Sequence, residues 1–278
     1  MPLVTTAELI AQAQAAGHGL AACNVITLEH AEAVAAGAEA AGRPVVLQVS
    51  QNAVRFHGGR LEPISAACRS VAALADVPVS LHLDHVQDDE LLRRAPAAGY
   101  SSVMVDAAHL PYADNLAVTR AAATWAHGAG LWLEAELGEV GGKDGAHAPW
   151  VRTDPAQALA FVEATGVDAL AVAVGSSHAM TRPTARLDLD LVGRLRAAVP
   201  VPLVLHGSSG VLAAQLRRAV ALGIVKVNIA TAFNVAFTAA VRHHLAENPR
   251  VVDPRQYLRP AREAMADAVQ RAVATVGT

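Results

Sequence analysis

The sequence predicts a single-domain (β/α)8 barrel of the α/β class, spanning residues 1–278. Three observations carry that prediction. Short, β-branched apolar runs alternate eight times with helical segments. Strands of that kind belong to a parallel sheet covered on both faces. Eight such units in 278 residues match the arithmetic of a barrel. The turn after the first strand, Asn24-Val25-Ile26-Thr27, is not glycine-rich, which argues against a doubly wound open sheet.

The elements follow in order. Thr6 before Ala7-Glu8-Leu9-Ile10 opens a first helix, which Gly17 or Gly19 stops. Leu20–Val25 is the first strand, ending at Asn24. Leu28–Ala41 is alanine-rich and helical, with Gly42 and Pro44 beyond it. Val45–Val49 is the second strand and runs out at Ser50. Gly58-Gly59 breaks the chain before a helix over Leu61–Ala75. Pro78–Asp84 is the third strand, and Asp89–Ala98 a helix that Pro96 kinks or ends. Ser101–Val105 ends at Asp106, and Tyr112–His127 is helical up to Gly128. Leu131–Leu137 is the fifth strand. The long loop Gly138–Arg152 follows, carrying Gly141-Gly142, Gly145 and Pro149; such loops in compact domains are more often functional than idle. Asp154-Pro155 opens a helix to about Ala164. The sixth strand, Asp168–Val174, ends in Gly175-Ser176-Ser177-His178. A helix over Leu189–Ala198 leads to the strand Pro202–Leu205 and His206-Gly207. Leu212–Leu222 is helical, Ile224–Val227 is the eighth strand, and Asn228 ends it. Thr231–Ala246 and a tail from Asp253-Pro254 are the last helices.

Composition narrows the function. A net charge of −3 gives no electrostatic reason to expect a nucleic-acid or membrane partner. Cys23 and Cys68 lack metal-site spacing, and Cys23 falls in an apolar run, as a core residue does. The N-terminus has no signal-peptide pattern, and no apolar run is long enough to cross a bilayer, so a cytoplasmic protein is expected.

Barrel enzymes work at the C-terminal ends of their strands. Those ends carry Asn24, Ser50, Asp84 with His85, Asp106, Glu134 with Glu136, His178, His206 and Asn228. From the third end to the seventh, every one bears an acid or an imidazole. Strand alternation sends neighbours such as Asp84 and His85 to opposite faces; at a frayed strand end both can share one pocket. His85, His178 and His206 can converge on one Zn²⁺ and leave a position open for substrate. An acid beside such a ligand suits metal-assisted proton chemistry. His18, His30, His127, His243 and His244 read as solvated helix residues, and His82 as a packed barrel residue with a hydrogen-bonded ring. The turns Gly207-Ser208-Ser209-Gly210 and Asn228-Ile229-Ala230-Thr231 sit where barrels bind phosphate.

These residues carry a resemblance. Leu81-His82-Leu83-Asp84-His85, Glu134-Ala135-Glu136-Leu137-Gly138, Gly142-Lys143-Asp144, Gly175-Ser176-Ser177-His178, Leu205-His206-Gly207-Ser208-Ser209-Gly210 and Lys226-Val227-Asn228-Ile229-Ala230-Thr231 resemble the class II, zinc-dependent ketose-bisphosphate aldolases. The tail Asp253-Pro254-Arg255-Gln256-Tyr257-Leu258 is similar to that family's C-terminal segment. The resemblance implies Zn²⁺ on His85, His178 and His206, and Asp84 as acid/base at the substrate C4 hydroxyl. It implies phosphate contacts from Gly207, Ser208, Ser209, Asn228, Ala230 and Thr231, and a monovalent cation near them. Asn24 and Ser50 fall to the substrate. Asp106 and Glu134 match positions that hold a second, displaced zinc in relatives. Asp144, where the family usually has Glu, takes the acid role at C3. Arg259 and Arg262 lie where relatives use basic residues on the far phosphate. Ala179 stands where the family usually has Gly. Homodimers or homotetramers are expected.

The implied reaction is reversible cleavage of fructose 1,6-bisphosphate. Tagatose bisphosphate differs only in the direction of one hydroxyl, and a keto-acid phosphate keeps the same chemistry, so both are alternatives. Two rivals use other chemistry. A Schiff-base aldolase would employ Lys226, and a non-catalytic barrel would merely bind sugar phosphates.

Overall fold

The structure is a computed structural model that describes residues 3–138 and 151–278. Eight parallel strands close into a barrel in sequence order, as expected. They are β1 (Leu20–Asn24), β2 (Val45–Ser50), β3 (Val79–Val86), β4 (Ser102–Val105), β5 (Trp132–Leu137), β6 (Ala169–Val172), β7 (Leu203–Leu205) and β8 (Ile224–Ile229). The described helices are α1 (Thr6–Ala16), α2 (Leu28–Ala41), α3 (Gln51–Phe56), α4 (Leu61–Leu74), α5 (Asp89–Ala98), α6 (Tyr112–Gly128), α7 (Pro155–Thr165), α8 (Leu189–Ala198), α9 (Ala213–Ala221), α10 (Thr231–Glu247) and α11 (Pro254–Val276). The tail helix α11 packs along α2 and α10. Among the described residues no helix is long and apolar enough to cross a membrane.

The period of the strands decides which side chains reach the inside. On β3, Leu81 and Leu83 join the apolar layer between sheet and helices. Ser80, His82 and Asp84 therefore face the barrel interior. On β5 the same alternation turns Leu133 and Ala135 outward and Glu134 and Glu136 inward. On β8 it turns Val227 and Ile229 outward and Lys226 and Asn228 inward. Polar groups at every second position thus collect in one column inside the barrel.

Helix α1 plugs the other end. Its Leu9, Ile10 and Ala13 pack on Leu20, Val46 and Val225 at the beginnings of β1, β2 and β8. Above this apolar seal, the Thr6 hydroxyl donates to Ser80 Oγ at 3.0 Å and accepts from Ser102 Oγ at 2.7 Å. Ser102 in turn meets His82 Nδ1 at 2.7 Å, the ring hydrogen bond expected of a packed histidine.

Several local expectations change. The first helix starts one residue early because Thr5 caps it, in a capping box with Glu8. Pro96 does not end α5, which runs on to Ala98; near a helix C-terminus the missing N–H removes a single bond. The short helix α3 directly after β2 was not foreseen. β3 and β8 extend two residues past their expected ends, so Asp84 and Asn228 lie inside strands. His30 is buried rather than solvated, stacked on Phe237 with ring centroids 4.8 Å apart.

Candidate active site

A cleft of about 460 Å³ opens at the C-terminal ends of the strands. Asn24, Ser50, Asp84, His85, Asp106, His178, Gly207, Ser208, Ser209, Asn228, Ala230 and Thr231 all line it. Of the remaining expected residues, Glu134 and His206 sit fully buried next to these groups. Asp144, and with it Lys143 and Glu139, lies outside the described residues.

Asp84 and His85 reach the same space because the strand is bent between them. Leu83 pairs with Val103 but Val86 pairs with Val105, so β3 carries one residue more than β4. That is a β-bulge. His85 sits within it at φ 51°, in the left-handed region, at a cost of about 1 kcal/mol for a residue with a Cβ. The break in alternation turns His85 inward beside Asp84, which period 2 has already placed there. His85 Nε2 lies 3.7 Å from Asp84 Oδ2.

The other two imidazoles arrive from the loops after β6 and β7. Gly207 makes their approach possible. It adopts φ 66°, and a Cβ there would lie 2.6 Å from the Ser177 carbonyl. The backbone of the His206 loop can therefore press directly against Ser177-His178. Nitrogen atoms of His85, His178 and His206 come within 4.8 Å of one another, and no other described His, Cys, Asp or Glu group could share a metal ion in this way. Carboxylates orient two of the rings from behind: Asp106 Oδ2 meets His85 Nδ1 at 2.8 Å, and Glu136 Oε2 meets His206 Nδ1 at 2.8 Å. Three imidazoles backed by carboxylates are a donor set that suits zinc. The residues present fit the ion.

The charges beneath the cleft are tightly coupled. Burial alone would raise the Asp84 carboxyl, but His85, His206, Lys226 and His82 around it hold it below the ordinary carboxylate range. Glu134 is likewise held far down against its burial, first by Lys226 and then by His206. Burial and the Lys226 charge push His82 down to about 3. His206 is held up at about 9, against its burial, by hydrogen bonds to Glu134 and Glu136. Both its nitrogens meet carboxylates at 2.8 Å, so one of the two contacts must give way when the ring binds a cation.

Two turns form the corner beside His206. Ser208–Gly210 is a single 3-10 turn in which Ser208 Oγ donates to the Leu205 carbonyl at 3.1 Å. Ser209 Oγ reaches across and accepts from the Ala232 N–H at 3.0 Å, tying this turn to the start of α10. Ala230 and Thr231, at the start of α10, line the cleft, so the positive end of that helix faces it.

Several lining residues carry no signal in the sequence reading: Gln48, Gln51, Asn52, Arg55 and Gln87. Most belong to α3, which brings Gln51 and Arg55 to the rim one helical turn apart. Gln51 Oε1 accepts from the Gln87 and Asp88 N–H groups at 2.9 and 3.1 Å, anchoring the loop after β3. The tail arginines do not line the cleft. Arg262 pairs with Glu32, and Arg259 borders a separate groove with His244 and Arg255. His127 binds Asp168 at 2.9 Å on the outside of the barrel.

Ala179, next to His178, stands at φ 57°. The position keeps the left-handed backbone that glycine adopts freely, although it bears a Cβ. Ala179→Gly should therefore stabilise the protein by about 1 kcal/mol. The denaturant midpoint, read with an unchanged slope, measures it. A lower midpoint would mean that the alanine methyl makes contacts worth more than the strain.

Comparison with known proteins gives the family. The model of the family described as fructose-bisphosphate aldolase class-II matches residues 4–278. The crystal structure of the YdjI aldolase from Escherichia coli K12 superposes with a TM-score of 0.86 at 33% identity, covering 99% of this chain and 97% of that one. The fructose-bisphosphate aldolase (Fba) of Campylobacter jejuni superposes with a TM-score of 0.82 at 24% identity, over 99% of this chain and 95% of that one, a likeness that speaks for the fold.

Proposed function

Because the chain belongs to the class II fructose-bisphosphate aldolase family, we propose that it cleaves a ketose 1,6-bisphosphate reversibly, with fructose 1,6-bisphosphate as first choice. The products are dihydroxyacetone phosphate and glyceraldehyde 3-phosphate. The observation that carries this reading is the convergence of His85, His178 and His206 beside the buried Asp84 carboxylate. Zn²⁺ held by the three imidazoles supplies a Lewis acid for the substrate's C2 carbonyl oxygen.

The residues then take these roles. Asp84 removes the C4 hydroxyl proton as the C3–C4 bond breaks, and the bonding pair passes into the three-carbon fragment as an enediolate. Asp144 returns a proton to C3. Asp106 and Glu136 hold the His85 and His206 rings in place, and Glu134, which yields its contact with His206 to the ion, stays paired with Lys226. Asn24 and Ser50 meet the sugar. The phosphate of the three-carbon half lies on Gly207, Ser208, Ser209, Asn228, Ala230 and Thr231, where N–H groups and the α10 dipole favour an anion. The family reading carries with it the expectation of a homodimer or homotetramer. A Schiff base is disfavoured because Lys226 does not line the cleft and its Nζ is held by Glu134 and Asn228.

A coupled assay of the zinc-loaded protein tests the reading. Fructose bisphosphate, its C4 epimer tagatose bisphosphate and a keto-acid phosphate should be compared, with and without a chelator. Turnover of fructose bisphosphate that the chelator removes is expected. Turnover that survives complete metal removal would sink the metal assignment, and preference for either other substrate would reassign the sugar.

The phosphate corner has its own test. Ser208→Asp sets a like charge where the anion lies, so KM should rise by at least about 10-fold while the metal content stays. An unchanged KM would move the phosphate elsewhere in the cleft.

A further inference from the structure

We propose that Lys226 is a positioning residue for the aldol step, acting through the amide of Asn228; the inference rests on the aldolase reading and deepens it. Lys226 and Asn228 stand two residues apart on β8, so both point into the barrel. Lys226 is completely buried. Its Nζ donates to Glu134 Oε2 and to Asn228 Oδ1, each at 2.8 Å. Lysine is among the residues least often buried, and a buried ion pair is no better for stability than well-packed apolar side chains of the same volume. Its place here calls for another reason.

The amide of Asn228 supplies one. Asn228 is 7% exposed and lines the cleft. With its oxygen taken by Lys226, its Nδ2 is buried and has no hydrogen-bond partner. An asparagine amide can sit in two orientations that exchange its oxygen and its NH2 group. Lys226 permits only one, because an ammonium has donors alone and would clash with an NH2 turned toward it. The NH2 is therefore turned away from Lys226, just beneath the cleft wall that Asn228 lines. The ammonium also draws electron density from the amide oxygen and makes the N–H a stronger donor. Gln48 treats Asn24 in the same manner on the adjoining strands, donating from Nε2 to Asn24 Oδ1 at 3.0 Å.

In aldol cleavage, the C4 hydroxyl loses its proton to Asp84 and the C3–C4 pair moves into the three-carbon fragment. Negative charge gathers on the oxygens of that fragment. A fixed N–H donor helps most when it faces an oxygen whose charge grows during the step. Asn228 Nδ2 is such a donor, and Lys226 aims it.

The experiment uses the zinc-loaded protein and the partial reaction that forms the enediolate. Exchange of the C3 proton of dihydroxyacetone phosphate with deuterium oxide is followed by NMR, and its Kd is measured by calorimetry. Lys226→Met should slow exchange about 10- to 100-fold, the worth of a charged hydrogen bond, with Kd changed less than about 3-fold. Asn228→Ala should slow it about 100- to 1,000-fold. In the double variant, loss of Lys226 should add nothing to loss of Asn228. Losses that multiply, or normal exchange in Lys226→Met, overturn the assignment. Lys226→Met leaves Glu134 Oε2 buried without its cation, so if it does not fold the same comparison is made in a Glu134→Gln background. A wild-type protein that neither exchanges this proton nor cleaves any ketose phosphate overturns the aldolase reading and the assignment with it.

Discussion

Asp84→Asn should yield a protein that keeps its fold and its metal but cleaves ketose bisphosphate roughly 10²- to 10⁴-fold more slowly, the usual worth of a positioned base. Asparagine has the shape of aspartate but cannot take the C4 hydroxyl proton. Asp84 is 1% exposed, and its Oδ1 has no hydrogen-bond partner, so the carboxylate has an oxygen free to take the proton. The loss should be selective. Asp84 serves the C4 oxygen, whereas proton exchange at C3 of dihydroxyacetone phosphate does not involve C4. Exchange should fall by less than about 10-fold. Equal losses in cleavage and exchange would show that Asp84 acts on the enediolate instead, and full cleavage activity would move the base elsewhere.

His178→Ala should remove most of the zinc, together with cleavage. Three imidazoles would hold the ion, and two would leave a site that a modest chelator empties. His178 is a better choice for this test than His206. His206 hydrogen-bonds both Glu134 and Glu136, and its loss would bury two carboxylates without it, at a cost of about 3–5 kcal/mol for a broken buried pair. His127→Ala serves as the control, since that ring binds Asp168 outside the barrel. Elemental analysis should find about one zinc per chain in wild type and control, and little in His178→Ala. Equal metal in all three would end the assignment of these histidines.

The barrel was legible because each strand announces itself twice, by β-branched residues and by the helix that follows. The site was legible for the same reason: functional groups stand where strands stop, and that point can be read without knowing the packing. Asn24, Ser50, Asp106 and Asn228 all line the cleft on that basis alone. His85 reaches the cleft as expected, but by another route than a frayed strand end. Its entry depends on a bulge and a positive φ, and Asp84-His85 contains no glycine to signal either. Arg55 and Gln51 went unseen because α3 is only six residues long, too short for a periodic pattern to emerge. His30 looked like a surface residue because the helix that covers it, α10, is about 200 positions away in sequence, and only tertiary contact brings Phe237 onto its ring.

The plug formed by α1 has a kinetic consequence. With Leu9 and Ile10 sealing the beginnings of the strands, the reaction space is a tube with one door. On the proposed reading, the phosphate corner and an ion on the three imidazoles would hold the dihydroxyacetone half, and neither would bind the aldehyde half. The aldehyde would then depart first, and the enediolate would gain its proton before its own product follows. Steady-state kinetics should be ordered. Dihydroxyacetone phosphate should inhibit cleavage competitively against the bisphosphate, and glyceraldehyde 3-phosphate noncompetitively. Condensation should begin with dihydroxyacetone phosphate already bound.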